Sequence, residues 1–294
     1  MTTLPTVDSL VSTAWLNDHL HESQIRILDV RGYTGHAPDA SGAWVSSYRD
    51  RREEYQAAHL PGAIFVDWTR DITDASDPVP VQVATEEQFA AWASRLGISN
   101  ETHVVIYDQQ GHLFATRLWW VFLYYGHDRV SILDGGWQQW IAEGHLTTTE
   151  VPTVDPVTFV PQVRPELRKT VDEVAQISQT KTALLIDGRS VEQYRGDIPL
   201  SGRGGHIPGA VNLPSSKFWN PETGIWKQPK ELAALLEDVG ATEDQPVVAY
   251  CNGGVTATTV LFALHRAGYT NWSNYDGSWN EWGRRSDLPV RPAP

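Results

Sequence analysis

Short unbroken apolar runs alternate with longer runs of helical period along most of this chain. Ile25-Arg26-Ile27-Leu28, Val104-Val105-Ile106-Tyr107, Leu184-Leu185-Ile186 and Pro246-Val247-Val248-Ala249-Tyr250 predict short strands, the last three buried. Apolar residues at every third or fourth position predict helices over 13–20, 85–96 and 113–125. A further helix follows Cys251: Val260, Leu261, Leu264 and Ala267 share one face, and Gly268 closes the run. Ser131-Ile132-Leu133 is a strand running into a turn. The segment from Gly32 to Tyr55 shows no such period. It reads as polar and irregular, then as a charged helix face in solvent over 49–54. Strands alternating with helices imply an α/β fold, a mainly parallel sheet flanked by helices.

The pattern occurs twice. Asp29-Val30-Arg31 returns as Asp187-Gly188-Arg189, each ending a strand. His59-Leu60-Pro61-Gly62-Ala63 returns as His206-Ile207-Pro208-Gly209-Ala210. Asp134-Gly135-Gly136-Trp137 returns as Asp276-Gly277-Ser278-Trp279. The order is kept, and the copies differ mainly by a longer segment between Asp29 and His59. A period this long indicates tandem domains rather than a solenoid. We place them at 1–145 and 167–294, with a Pro-, Thr- and Val-rich connector over 146–166.

The two copies part at one position. Strand Val104–Tyr107 leads into Asp108, whereas strand Val247–Tyr250 leads into Cys251, the one cysteine of the chain. Cys251 thus sits in the turn Cys251-Asn252-Gly253-Gly254-Val255-Thr256, between the end of a strand and the start of a helix. Ligands of α/β sheets bind at such strand ends. Unpaired amides and the helix dipole there favour an anion, and so favour thiolate over thiol. A lone cysteine is often only a small buried hydrophobe; the Gly-rich turn argues for chemistry. Asp108 cannot do thiol chemistry, which makes the first domain a scaffold.

Composition narrows the partners. With 294 residues, 41% hydrophobic and 20% charged, the chain can bury two ordinary cores. A net charge of −13 argues against nucleic acid and anionic membranes. A single cysteine forms no internal disulfide, which suggests a reducing, cytoplasmic setting. Met1–Pro5 does not have the form of an export signal, and no run is long enough to span a membrane. The ten histidines are scattered, Cys251 has no partner at metal-ligand spacing, and phosphate-loop and dinucleotide fingerprints are absent. No cofactor and no metal are expected.

The doubled motifs, the single cysteine in the second copy and the loop Cys251-x-x-Gly254-Val255-Thr256-Ala257 together resemble the two-domain sulfurtransferases of the rhodanese superfamily, over nearly the whole chain. The resemblance implies tandem rhodanese-like domains, an inactive first domain and a persulfide on Cys251. A small anionic donor, 3-mercaptopyruvate or thiosulfate, would supply sulfur, and cyanide or a thiol would take it. Amides from Asn252 to Thr256 would hold the persulfide. Arg189 and Arg195 would bind the donor, with an ion pair to Asp187 the plain alternative for Arg189. In the thiosulfate branch the two residues after the cysteine are commonly basic; here they are Asn252 and Gly253, which favours 3-mercaptopyruvate. That branch commonly has a serine where Gly253 stands, in a proposed relay with a histidine matched by His59. Without the hydroxyl, His59 is only an accessory candidate. The main alternative is a non-catalytic binding or sulfur-carrier module; thirteen tryptophans could give it a surface, but the recurrent Asp-Gly-x-Trp places read several of them as core. A phosphatase or arsenate reductase is disfavoured: Cys-x5-Arg fails, because Ala257 stands at the arginine position.

Overall fold

The computed structural model describes residues 7–109 and 111–291. Met1–Pro5, expected above to carry no export signal, lies outside them. In chain order the first half comprises β1 (Leu10–Val11), α1 (Thr13–His19), β2 (Ile25–Asp29), β3 (Gly32–Pro38), β4 (Trp44–Asp50), α2 (Arg52–Ala57), β5 (Ala63–Phe65), α3 (Glu86–Arg95), β6 (His103–Tyr107), α4 (Leu113–Tyr124), β7 (Val130–Leu133) and α5 (Gly136–Ala142). The second half comprises β8 (Arg168–Lys169), α6 (Val171–Thr180), β9 (Leu184–Asp187), α7 (Val191–Arg195), β10 (Val211–Asn212), α8 (Pro229–Glu237), β11 (Val247–Tyr250), α9 (Ala257–Arg266), β12 (Trp272–Tyr275) and α10 (Ser278–Trp282).

Each half builds one parallel sheet. The orders are β1-β7-β6-β2-β5 and β10-β9-β11-β12-β8, the second being the first repeated strand for strand and read from the other edge. The unbroken apolar runs lie at the sheet centres. Every residue of β6 and of β11 is buried, as strands covered on both faces must be. The helices start where the sequence gives them caps: Thr85 and Gln88 box the start of α3, and Thr170 and Glu173 that of α6.

The halves meet through a pair of equivalent helices. Phe114 to Leu123 in α4 and Ala257 to Leu264 in α9 are buried without exception. A helix apolar all round belongs in an interior. The Thr116 hydroxyl lies 3.2 Å from that of Thr259 and 3.0 Å from that of Thr258, and Trp119 meets Phe262 edge to face at 5.0 Å. The flanking contacts are also paired. Asp134 accepts the Trp226 N–H from the second half at 2.9 Å, and Asp276 accepts the Val83 N–H from the first at 2.9 Å. The doubled Asp-Gly-x-Trp motifs therefore fasten the halves together. Six tryptophans (Trp68, Trp119, Trp120, Trp140, Trp279 and Trp282) are fully buried rather than displayed.

One expectation is corrected. Residues 32–50 are not irregular; they form an antiparallel hairpin, with Gly32 opposite Asp50 and Pro38 opposite Trp44. The Asp39 carboxylate closes its turn on the N–H groups of Ser41 and Ala43, and Gly42 takes φ +84°. The hairpin has little apolar periodicity because its burial comes from the other half: Trp44 packs on the second-half core that contains Leu200 and Ile207. The charged run continues as α2, where Arg52, Glu53 and Glu54 do face solvent. Residues 149–164 contain no helix or strand, and run along the first half with Phe159 buried in its core. No helix among the described residues is long and apolar enough to cross a membrane.

Two buried histidines make the fold acid-sensitive. Burial, with Arg129 nearby, lowers the His103 pKa to about 4, and burial lowers that of His127 to about 4. The unfolded chain binds these protons near 6.5, the folded chain only near 4. Their contribution to stability is therefore complete above about pH 6.5 and is lost as pH falls towards 4. The thermal midpoint should fall across that window, and His127→Leu should flatten the fall. An equally steep fall in the variant would reject the assignment.

Candidate active site

Cys251 follows β11 at the centre of the second sheet and is 1% exposed. Its loop is held from below by α10. The Cys251 N–H donates to Ser278 Oγ at 3.0 Å; Trp279 N–H donates to the Cys251 carbonyl at 3.0 Å, and Asn280 N–H to that of Asn252 at 2.7 Å. Gly254 has φ +72°, and a Cβ there would lie 2.6 Å from Asp276 Oδ1, so the turn requires glycine. Gly253 is tight for another reason. A Cβ would lie 2.4 Å from Val81 Cγ2 and 2.8 Å from Asn280 Nδ2. A serine at this position would have to displace the Val81 and Asn280 side chains.

The first half shows what such a turn holds. Asp108 stands at the end of β6 as Cys251 stands at the end of β11. Its Oδ2 accepts the N–H groups of Phe114 at 2.9 Å and Ala115 at 3.0 Å at the start of α4. A carboxylate thus takes the helix-start amides of the first turn, and Cys251 is the residue at the corresponding place in the second.

The expected arginines divide. Arg189 is 2% exposed and grips Asp187 through Nε and Nη2, the latter at 2.7 Å; Nη2 also donates to the Gly205 carbonyl at 2.8 Å. Its guanidinium lies 4.4 Å from the Trp279 ring centre. Arg31 repeats this arrangement in the first half, on Asp29, the Ala58 carbonyl and Trp137. The ion pair weighed from the sequence is therefore present. The Arg189 Nη1 is fully buried and has no hydrogen-bond partner. Arg195 is exposed at the end of α7 and makes no hydrogen bond or ion pair among the described residues. The same helix instead brings Gln193 Oε1 to 3.3 Å from Asn252 Nδ2.

His59 is not brought to the loop. Its ring stacks on Tyr55 at 3.9 Å, Nδ1 meets the Tyr55 carbonyl at 2.8 Å and Nε2 the Glu150 carbonyl at 3.0 Å. Nδ1 thus ties the Pro-Gly turn to α2 and Nε2 ties it to Glu150. His206 does likewise with Tyr194, stacking at 3.8 Å and meeting its carbonyl at 3.0 Å.

The first half supplies other residues, which the sequence reading missed. Thr34 and His36 of β3, Tyr48 of β4 and Trp68 line a cavity of about 20 Å³ whose opposite wall is the loop from Cys251 to Thr256. That is room for about one water molecule. Tyr48 Oη accepts from Asn280 Nδ2 at 3.1 Å, and His36 Nε2 lies 3.3 Å from Asn252 Nδ2. Burial, then the nearby charge of Arg189, lowers the His36 pKa. Burial raises that of Tyr48. The extra length between Asp29 and His59, with polar and aromatic residues at alternate positions, was the available signal.

A buried thiol at a parallel strand end faces the β3–β4 hairpin of the other half across a small cavity, on an α/β scaffold. The rhodanese-like domain model matches residues 12–143 and again 170–285. The chain belongs to the rhodanese family and is a two-domain sulfurtransferase. It is 36% identical over 293 residues to thiosulfate sulfurtransferase of Rattus norvegicus, covering 96% of this chain and 94% of that one. It is 38% identical over 295 residues to the sulfur carrier protein TtuD of Thermus thermophilus, covering 96% and 95%. Among solved structures, the 3-mercaptopyruvate sulfurtransferase SseA of Escherichia coli superposes with a TM-score of 0.81 at 30% identity, covering 93% of this chain and 99% of that one.

Proposed function

We propose that Cys251 carries the transferred sulfur as a persulfide, with 3-mercaptopyruvate the preferred donor, thiosulfate a possible one, and cyanide or a thiol the acceptor. The observation that carries this reading is the position of Cys251 beneath the α9 N-terminus, where the equivalent turn already holds the Asp108 carboxylate. The thiolate attacks the donor's outer sulfur, and amides of the 252–256 loop stabilise the resulting persulfide anion. Arg189, through its unpartnered Nη1, offers the anionic donor a buried cation. Arg195 would add a second contact only by swinging in from solvent. The neutral Asn252 and Gly253 suit a monoanionic carboxylate better than a dianion. In this reading residues 167–294 are the catalytic domain, 1–145 a scaffold that forms one cavity wall, and 146–166 the connector. A free thiol of this kind fits a reducing compartment such as the cytoplasm.

The test is the intact mass of the reduced protein after mixing with each donor separately. A gain of one sulfur atom is expected, faster with 3-mercaptopyruvate and absent in Cys251→Ser. No gain with either donor, or an equal gain in the variant, rejects the reading. Loading by both donors with thiosulfate faster overturns only the donor preference.

A further inference from the structure

Sulfur transfer from a thiol requires a proton to move as well. When the Cys251 thiolate takes sulfur from 3-mercaptopyruvate, an S–S bond forms and the donor's C–S bond breaks. The electron pair of that bond passes to the methylene carbon as an enolate. The proton on the donor sulfur must leave for the persulfide to become an anion, and the enolate carbon must gain one to become pyruvate. Charge and atoms balance with one proton carried from sulfur to carbon. With thiosulfate no proton moves: the thiolate takes the outer sulfur and sulfite departs with the electron pair.

Resting on the Cys251 persulfide reading, we propose that His36, brought from the first half by the β3–β4 hairpin, carries this proton when the sulfur donor is a thiol. His36 lines the cavity that holds Cys251. Asn252 Nδ2 stands between two acceptors, His36 Nε2 and Gln193 Oε1, each at 3.3 Å. An amide nitrogen only donates, so Nε2 is the acceptor from Asn252 and carries no proton. The Nδ1–H is then held by Ser46 Oγ, opposite it across the hairpin, at 3.1 Å. The groups facing His36 are Arg189, whose charge opposes protonation, Cys251 across the cavity and Tyr48 on β4; Ser46 and Asn252 are neutral. A neutral imidazole whose lone pair is held only by a 3.3 Å side-chain amide can exchange that contact for a proton at pH 7.

The other candidates either do not line this cavity or offer no base near neutrality. Both nitrogens of His59 sit on carbonyls. Position 253 has no hydroxyl. The Tyr48 phenol is shifted up by burial and is no base near neutrality. His36 is the one histidine lining the Cys251 cavity among the described residues.

Single-turnover sulfur loading of Cys251, read by quenched intact mass between pH 5 and 8, compares the two donors. His36→Gln keeps an acceptor for Asn252 and removes the titrating group. It should slow loading from 3-mercaptopyruvate by about 10²-fold, the range of a lost general acid–base group, and leave loading from thiosulfate close to wild type. In the wild type, the ratio of the two rates should fall as pH drops through a pKa below 6.5, the ordinary histidine value. The Cys251 titration cancels in that ratio. In His36→Gln the ratio should be flat, and Ser46→Ala should lower it by a smaller factor. An equal loss with both donors, or a ratio profile unchanged in His36→Gln, overturns the proposal. Wild-type loading from thiosulfate alone overturns it as well. Failure of the wild type to load from either donor instead defeats the Cys251 reading.

Discussion

Arg117→Met is expected to lower the unfolding free energy by about 3–5 kcal/mol, the usual cost of stranding one partner of a buried ion pair. Arg117 is 1% exposed and reaches from α4 into the second half. Its Nη1 pairs with Asp276 Oδ1 and lies 3.3 Å from the Gly254 carbonyl; Nη2 donates to the Val81 carbonyl at 3.0 Å. Asp276 is itself wholly buried. Without Arg117 it keeps, among the described residues, the Val83 N–H, Asn274 and the half-buried Arg168, whose Nε lies 3.5 Å away. Denaturant unfolding reads the loss. Because Arg117 also holds the Gly254 carbonyl, Cys251 should load sulfur more slowly even where the variant is folded. Asp276→Asn keeps a polar group on these donors and should cost less. A change below about 1 kcal/mol for Arg117→Met, the scale of a surface pair, would show that the lock between the halves lies elsewhere.

The second large effect separates structure from catalysis by using the repeat as its own control. Arg31→Met and Arg189→Met each leave an aspartate buried without its guanidinium, Asp29 in one half and Asp187 in the other. Both should lose about 3–5 kcal/mol of stability. Only Arg189→Met removes a buried cation beside Cys251, so only it should also lose sulfur loading at a temperature where both variants are folded, by about 10²-fold or more. Arg189→Lys should recover part of the charge but not the two-pronged grip on Asp187. Equal loading rates in the two methionine variants would make Arg189 a structural residue and nothing more.

Much of this arrangement was legible in the residues. The apolar runs of β6 and β11 marked the sheet centres because parallel strands are covered on both faces. The doubled Asp-x-Arg, His-x-Pro-Gly-Ala and Asp-Gly-x-Trp motifs marked two copies of one fold. Cys251 and Asp108 marked where the copies diverge. Arg189 was found with its alternative beside it, and the structure contains that alternative: one guanidinium edge is committed to Asp187, while Nη1 remains unpaired. His59 stood out by motif, yet the stacked turn consumes both its nitrogens.

The sequence by itself determined the α/β class, the duplication and the thiol in its Gly-containing turn, because each of these is written in neighbouring residues: a burial period, a turn requirement, a cap. Only the tertiary structure decided what faces Cys251. The β3–β4 hairpin carries no strong period of its own, since its support comes from Leu200 and Asn280, which are remote in sequence. His36, Tyr48, Val81 and Arg117 matter because two similar halves pack across α4 and α9, so that residues of one half line or brace the site of the other. Local pattern reports how a segment covers its own sheet; it holds no record of which surface of a second domain will meet it.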